Sequence, residues 1–268
     1  MNNLIATYAA FALYFTCTAL IILKIRQHAW TTSIPSSAIL FLGFLGLAAH
    51  SYVLYNGILG PQSVNLGFYN ALSLISDFIV LFTLATACRY GTESLIVFIL
   101  PAAMLAMILD MNFSSSHLLA PGSSDALIFH VVSSLIAYSI LALAAVIAIV
   151  LSIQNRFLHN HQPSGFVRIL PPLKTMETLL FEALTVGFIC LSISLASGLL
   201  FLENMFAQQL AHKTILSIFA WFVFLILLLG RWVLGWRGRV AIRWTLSGFF
   251  SLMLAYFGSK FVLEVILS

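Results

Sequence analysis

Residues Ala126–Ile153 read ALIFHVVSSLIAYSILALAAVIAIVLSI, 28 positions without one formal charge. As a helix rising about 1.5 Å per residue, this stretch is roughly 42 Å long, more than the ~30 Å hydrocarbon core of a bilayer. Backbone polar groups in lipid must find partners inside their own segment, so a helix is the form in which such a run crosses. Composition agrees. Charged residues make up 7% of the chain and hydrophobic ones 62%, where a soluble domain carries about 25% charged residues. Mean hydropathy is +1.07. A soluble enzyme is excluded, and a polytopic membrane protein is indicated.

Hydropathy predicts eight spans: Leu4–Leu23, Ile34–Leu54, Leu66–Cys88, Ser94–Leu109, Ala126–Ile153, Ala183–Leu202, Thr214–Gly230 and Trp244–Val262. The expected fold is an all-α polytopic membrane helix bundle, with residues 1–268 forming one integral membrane domain. Lys and Arg set its orientation. One set of connections holds Lys24, Arg26, Arg89, Arg156, Arg168, Lys174, Arg231, Arg237, Arg239 and Arg243; the other holds Lys213 and Lys260. This bias places the larger set in the cytoplasm and both termini outside, on the periplasmic side of a bacterial inner membrane. Lys24 and Arg26 follow the first apolar run, which therefore reads as a first span and not as a cleaved signal. Topology accounts for the pI near 9.1, and no nucleic-acid partner is expected.

Cys17, Cys88 and Cys190 lie on different spans without C-x-x-C spacing, so they read as small buried hydrophobes. Trp30, Trp232, Trp236 and Trp244 gather at cytoplasmic span ends as an interfacial belt. Trp221 differs, lying about two turns inside the seventh span. No nucleophile elbow, phosphate loop or H-E-x-x-H motif is present. No catalytic set emerges.

An ionisable side chain inside a span is costly and points to function. Counting from the predicted span ends, His50 and His130 sit at similar depth on the outer side. Two neutral imidazoles on facing helices could supply both axial ligands of a haem iron. The alternative is that each bonds a neighbouring carbonyl or water. His212 and Lys213, at the outer start of span seven, could meet a propionate or a lipid phosphate. Asp77, near the middle of span three, should face the bundle interior, protonated or paired with Ser73, Ser76 or Thr83 or with another helix. Glu177 and Glu182 are placed to pair with Lys174. Pro101 interrupts the fourth span, as a tolerated kink or as part of a transport site. His28, His159 and His161 read as solvated loop residues.

The order of motifs adds to this. His212-Lys213-Thr214, Ile215–Trp221 (ILSIFAW), Gly235–Arg239 (GWRGR) and Ala255–Gly258 (AYFG) follow Asn65–Leu74 (NLGFYNALSL) and the His130 helix. Together they resemble the cytochrome c assembly family of membrane proteins over nearly the whole chain. That resemblance implies haem handling at the outer face during c-type cytochrome maturation. Haem of the b type is the implied cofactor, and His130 an implied iron ligand. His50 is then the candidate second ligand, Lys213 and His212 neighbours of the propionates, and Trp221 a surface for the porphyrin edge. Implied partners are haem, membrane lipid and another membrane assembly protein or an apocytochrome. Leu199–Ala211 contains no tryptophan where larger members of the family carry a Trp-rich loop. Two other readings compete: a HemX-like membrane partner without haem, and a small-solute transporter built on Asp77 and the Pro101 span.

Overall fold

The computed structural model describes residues 2–27, 31, 33–58, 65–113, 125–159, 170–201 and 208–258, with the backbone alone at 2, 201, 208–212, 257 and 258. Among the described residues there are eight α-helices and no β-sheet: α1 (Asn2–Ile25), α2 (Ser36–Ile58), α3 (Phe68–Tyr90), α4 (Ile96–Asn112), α5 (Asp125–His159), α6 (Leu173–Phe201), α7 (Gln208–Leu234) and α8 (Gly238–Met253). A 3-10 turn, Glu93–Leu95, leads into α4, and a π-turn, Leu254–Gly258, continues α8. Seven of these helical segments are long and apolar enough to cross a membrane. The eighth helix, at 16 residues, gives only about 24 Å before the π-turn extends it. The all-α, multi-span architecture expected from hydropathy is the one observed. The predicted end of the last span, past Gly258, lies outside the described residues.

The largest boundary difference is at α6, which starts at Leu173 rather than at 183. Leu173–Glu182 carries Lys174, Glu177 and Glu182, which depress hydropathy. Its apolar residues Met176, Leu179 and Leu180 nonetheless recur at helical spacing and are buried. Hydropathy detects membrane; helix continues beyond it.

The helices cluster into two compact units: Met1–Pro121 with Ile169–Pro171, and Gly122–Arg168 with Pro172–Ser268. In the first unit α1 packs on α2 and α4, and α3 on the same two helices, closing a four-helix arrangement. Small residues let these helices approach, as is usual where lipid removes the hydrophobic drive. A Cβ on Gly46 would lie 2.6 Å from the Tyr14 ring, and one on Gly43 2.8 Å from Leu84. Cys17 is buried here, its thiol donating to the Ile39 carbonyl at 3.4 Å. Cys88, expected to be buried, is exposed on α3. It sits two residues before the end of that helix.

In the second unit α5 packs on α6 and α8, and α7 on α6 and α8. The uncharged run that opens the sequence argument is the core helix of this unit, with Leu135 and the residues from Ala137 to Ala145 all buried. A Cβ on Gly187 of α6 would lie 2.7 Å from Leu141 of α5. Gly187→Ala should therefore lower stability by about 1–3 kcal/mol through overpacking, read as a lower melting temperature in detergent. Gly57→Ala, where nothing stands within 4 Å, should leave the melt unchanged.

The GWRGR turn joins α7 to α8. Gly235 and Gly238 take φ of +67° and +53°, a region side chains disfavour. The Trp236 N–H donates to Gly230 O at 3.1 Å. The Trp236 ring lies against Gly230 and 5.5 Å from the Trp244 ring. Glu177 was expected to pair with Lys174. Instead its carboxylate accepts the Gly238 N–H at 3.0 Å, so α6 caps the N-terminus of α8, where a negative charge is favoured. Of the predicted aromatic belt, Trp232 is exposed, Trp236 and Trp244 pack on each other, and Trp30 lies outside the described residues.

Candidate functional site

His130 sits on α5 in the second unit, five residues after Asp125. Its Nδ1 lies 2.9 Å from the Ser194 carbonyl oxygen and 3.2 Å from Ser197 Oγ, both on α6. A carbonyl only accepts, so Nδ1 carries the proton and Nε2 keeps its lone pair. Ser197 donates to the same carbonyl at 2.8 Å. Ser134 donates to the His130 carbonyl at 2.6 Å and meets Ser194 Oγ at 2.5 Å. The half-buried ring is thus oriented from α6, and among the described residues Nε2 has no hydrogen-bond partner. Fixing one ring nitrogen to orient the other is how proteins prepare a histidine for a metal.

The ring of Trp221 on α7 stacks on Phe188 with centroids 5.3 Å apart, and its Nε1–H donates to Ser192 Oγ at 2.8 Å. At about 100° per helical residue, Ser192 and Ser194 point some 160° apart around α6. Trp221 and His130 therefore hold different sides of α6 and are not brought together. Lys213, half-buried, is the first described side chain of α7; the His212 side chain lies outside the described residues.

His50 lies on α2 in the first unit and is fully buried. The helix runs to Ile58, so His50 is about 12 Å from its end, deeper than the predicted span boundary implied. Its Nδ1 is 3.3 Å from Asp77 Oδ1 and 3.4 Å from the Tyr14 hydroxyl. Its Nε2 is 3.0 Å from Ser73 Oγ. Both ring nitrogens are engaged within the unit. Ser51 donates to the Asp77 carboxylate, 3.1 and 3.3 Å from its two oxygens. Asp77 is therefore served by α2. Ser76 and Thr83, proposed partners on its own helix, bond helix carbonyls instead. The sequence pointed to His50 and Asp77 as costly side chains; Tyr14 and Ser51 carried no comparable signal.

Among the described residues no group of three or more His, Cys, Asp or Glu could hold a bare metal ion. A single histidine with an oriented Nε2 could serve a metal whose other coordination positions are filled by a group of its own. Elsewhere in the second unit, a cavity of about 530 Å³ between α5 and α8 is lined by Arg156, His159, Arg239 and Arg243 with no carboxylate.

Residues 38–267 match the family described as Cytochrome C assembly protein. The inner membrane protein YpjD of Escherichia coli K12 is 29% identical over 259 residues, 96% of this chain and 97% of that protein. An uncharacterized 28.8 kDa protein in a nifR3-like 5' region of Azospirillum brasilense is 36% identical over 140 residues, 52% of each chain. No solved structure matches. His50, Asp77, Asp110, His130 and Lys213 all fall inside the matched range; Tyr14 does not. With its seven long apolar helices and a family match through most of its length, the chain belongs to the cytochrome c assembly protein family, as a multi-pass inner-membrane protein with a role of the cytochrome c biogenesis type.

Proposed function

We propose that this protein binds and hands on haem at the periplasmic face of the inner membrane, with His130 Nε2 as the atom that would hold the iron. The observation that carries this is the 2.9 Å bond from His130 Nδ1 to the Ser194 carbonyl, which selects the tautomer whose Nε2 can ligate. Haem, when bound, would supply a redox-active iron. His130 would hold that iron, and Ser194 and Ser197 orient His130. Lys213, in the second turn of α7 with His212 beside it in sequence, would neutralise a propionate. His50 stands outside this ligand set, because ligation would require it to give up Asp77 or Ser73. The periplasmic assignment follows from the distribution of Lys and Arg. The family match runs through both units, supporting a single functional domain over residues 1–268.

Membrane lipid is the second partner. The arginines around the α5–α8 cavity suit an anionic headgroup on the cytoplasmic side. A further assembly protein or an apocytochrome receives the haem.

The test is haem content. Protein purified from haem-replete cells should give a Soret band and about one haem per chain by pyridine haemochrome assay. A preparation that carries no haem, and takes up none when haem is titrated into it, would sink the proposal.

A further inference from the structure

We infer that the cleft between α5 and α8 binds an anionic phospholipid with two phosphodiesters, whose headgroup bridges Arg156 of one helix and Arg239 and Arg243 of the other. This deepens the lipid reading above and rests on it, but is independent of haem. Helical spacing brings the residues together. Ser152, Asn155, Arg156 and His159 recur at i, i+3, i+4 and i+7, one face of α5, and Arg239 and Arg243 stand one turn apart on α8. Both faces line the same cavity of about 530 Å³, inside the ~300–1,000 Å³ typical of ligand pockets.

Charge decides what fills the cleft. No carboxylate lines it, and Glu177 on α6 is already engaged by the Gly238 N–H. Like charges one turn apart on a helix repel, so Arg239 and Arg243 favour a counter-anion between themselves and Arg156. A guanidinium fork matches phosphate oxygens two at a time. One phosphodiester offsets one of the three arginines; two on a single molecule offset two and reach both helices. Position then selects a lipid over a soluble phosphate. Arg156 is three residues from the end of α5, and Arg239 is the second residue of α8. Basic pockets between membrane helices at the cytoplasmic side suit such headgroups. Seven residues further into the span from Arg156 stands Ile149, and seven from Arg243 stands Phe250, 48% and 57% exposed. Each lies some 20° around its helix from its arginine, so apolar surface continues directly from the charged one. An amphiphile with its phosphates on the arginines has its acyl chains over these two residues; a soluble phosphate uses neither.

Native mass spectrometry of the full-length protein, released from detergent, counts retained lipid, and thermal melts in the same detergent read its effect. With cardiolipin added, wild type should keep one lipid per chain and melt at a higher temperature. Phosphatidylglycerol at matched phosphate should raise the melt less, and phosphatidylcholine and inorganic pyrophosphate not at all. Arg156→Gln and Arg243→Gln, both at exposed positions, should melt like wild type without lipid. Each should weaken cardiolipin binding at least about tenfold, the loss of one charge-assisted contact. Arg237→Gln, outside the cleft lining, should bind like wild type. Cardiolipin and phosphatidylglycerol acting alike would overturn the two-phosphate site while leaving lipid as a partner; no retained anionic lipid would overturn both. Pyrophosphate acting as strongly as cardiolipin, or either cleft variant binding like wild type, would overturn the lipid site. The haem assay is untouched by all of these outcomes.

Discussion

Replacing His130 with glycine should remove haem binding, and imidazole added to the buffer should restore it. Loss of the groups that merely orient a metal-binding histidine costs about 10–100-fold in metal affinity, so loss of the ligand itself should exceed about 100-fold. The size follows from the surroundings. Serines occupy the α6 side of the ring, and among the described residues there is no cluster of three or more metal-ligating side chains to take over. Neighbouring substitutions sort the contributions. Ser197→Ala removes one of two acceptors on Nδ1 and should weaken binding within the 10–100-fold band. Ser194→Ala keeps the carbonyl that fixes the tautomer and should stay close to wild type. The measurement is a haem titration followed at the Soret band. A glycine variant that binds as tightly as wild type without imidazole would remove His130 from the site.

His50→Leu should act on stability instead, lowering it by about 3–5 kcal/mol, the usual cost of removing one partner from a buried ionisable pair. Asp77 would lose the imidazole at 3.3 Å and Ser73 the nitrogen at 3.0 Å. Adding Asp77→Leu should recover part of that loss, because a pair replaced by apolar residues of similar volume is far better tolerated than a broken pair. Thermal unfolding of the two single variants and the double variant in detergent gives the coupling directly. Additive losses would show that His50 and Asp77 do not depend on each other.

The membrane spans were legible in the sequence because hydropathy reports solvent, and each predicted span overlaps one helix, so solvent and helix run together over most of their length. They part at α6, whose first turns are charged on one side yet packed on the other through Met176 and Leu180. Glu177 was readable as an acid near Lys174, but its true partner is a backbone N–H 61 residues away, a relation no local spacing contains. The two histidines illustrate the same limit. Depth counted along a helix made His50 and His130 look equivalent, whereas their chemistry is set by what faces each ring: a carbonyl and a hydroxyl for His130, a carboxylate, a phenol and a hydroxyl for His50. Tyr14 and Ser51 were unreadable because one polar residue in a span carries no direction until the neighbouring helix is placed beside it.

The central claim is that the two histidines do different work, with iron on His130 and hydrogen bonds alone on His50. Nitrogen hyperfine coupling to ferric haem, recorded on protein with isotopically labelled histidine, identifies the ligand without relying on affinity. The account predicts that the histidine coupling persists in His50→Gln and disappears in His130→Gly. A coupling lost in His50→Gln, or retained in His130→Gly, would contradict it.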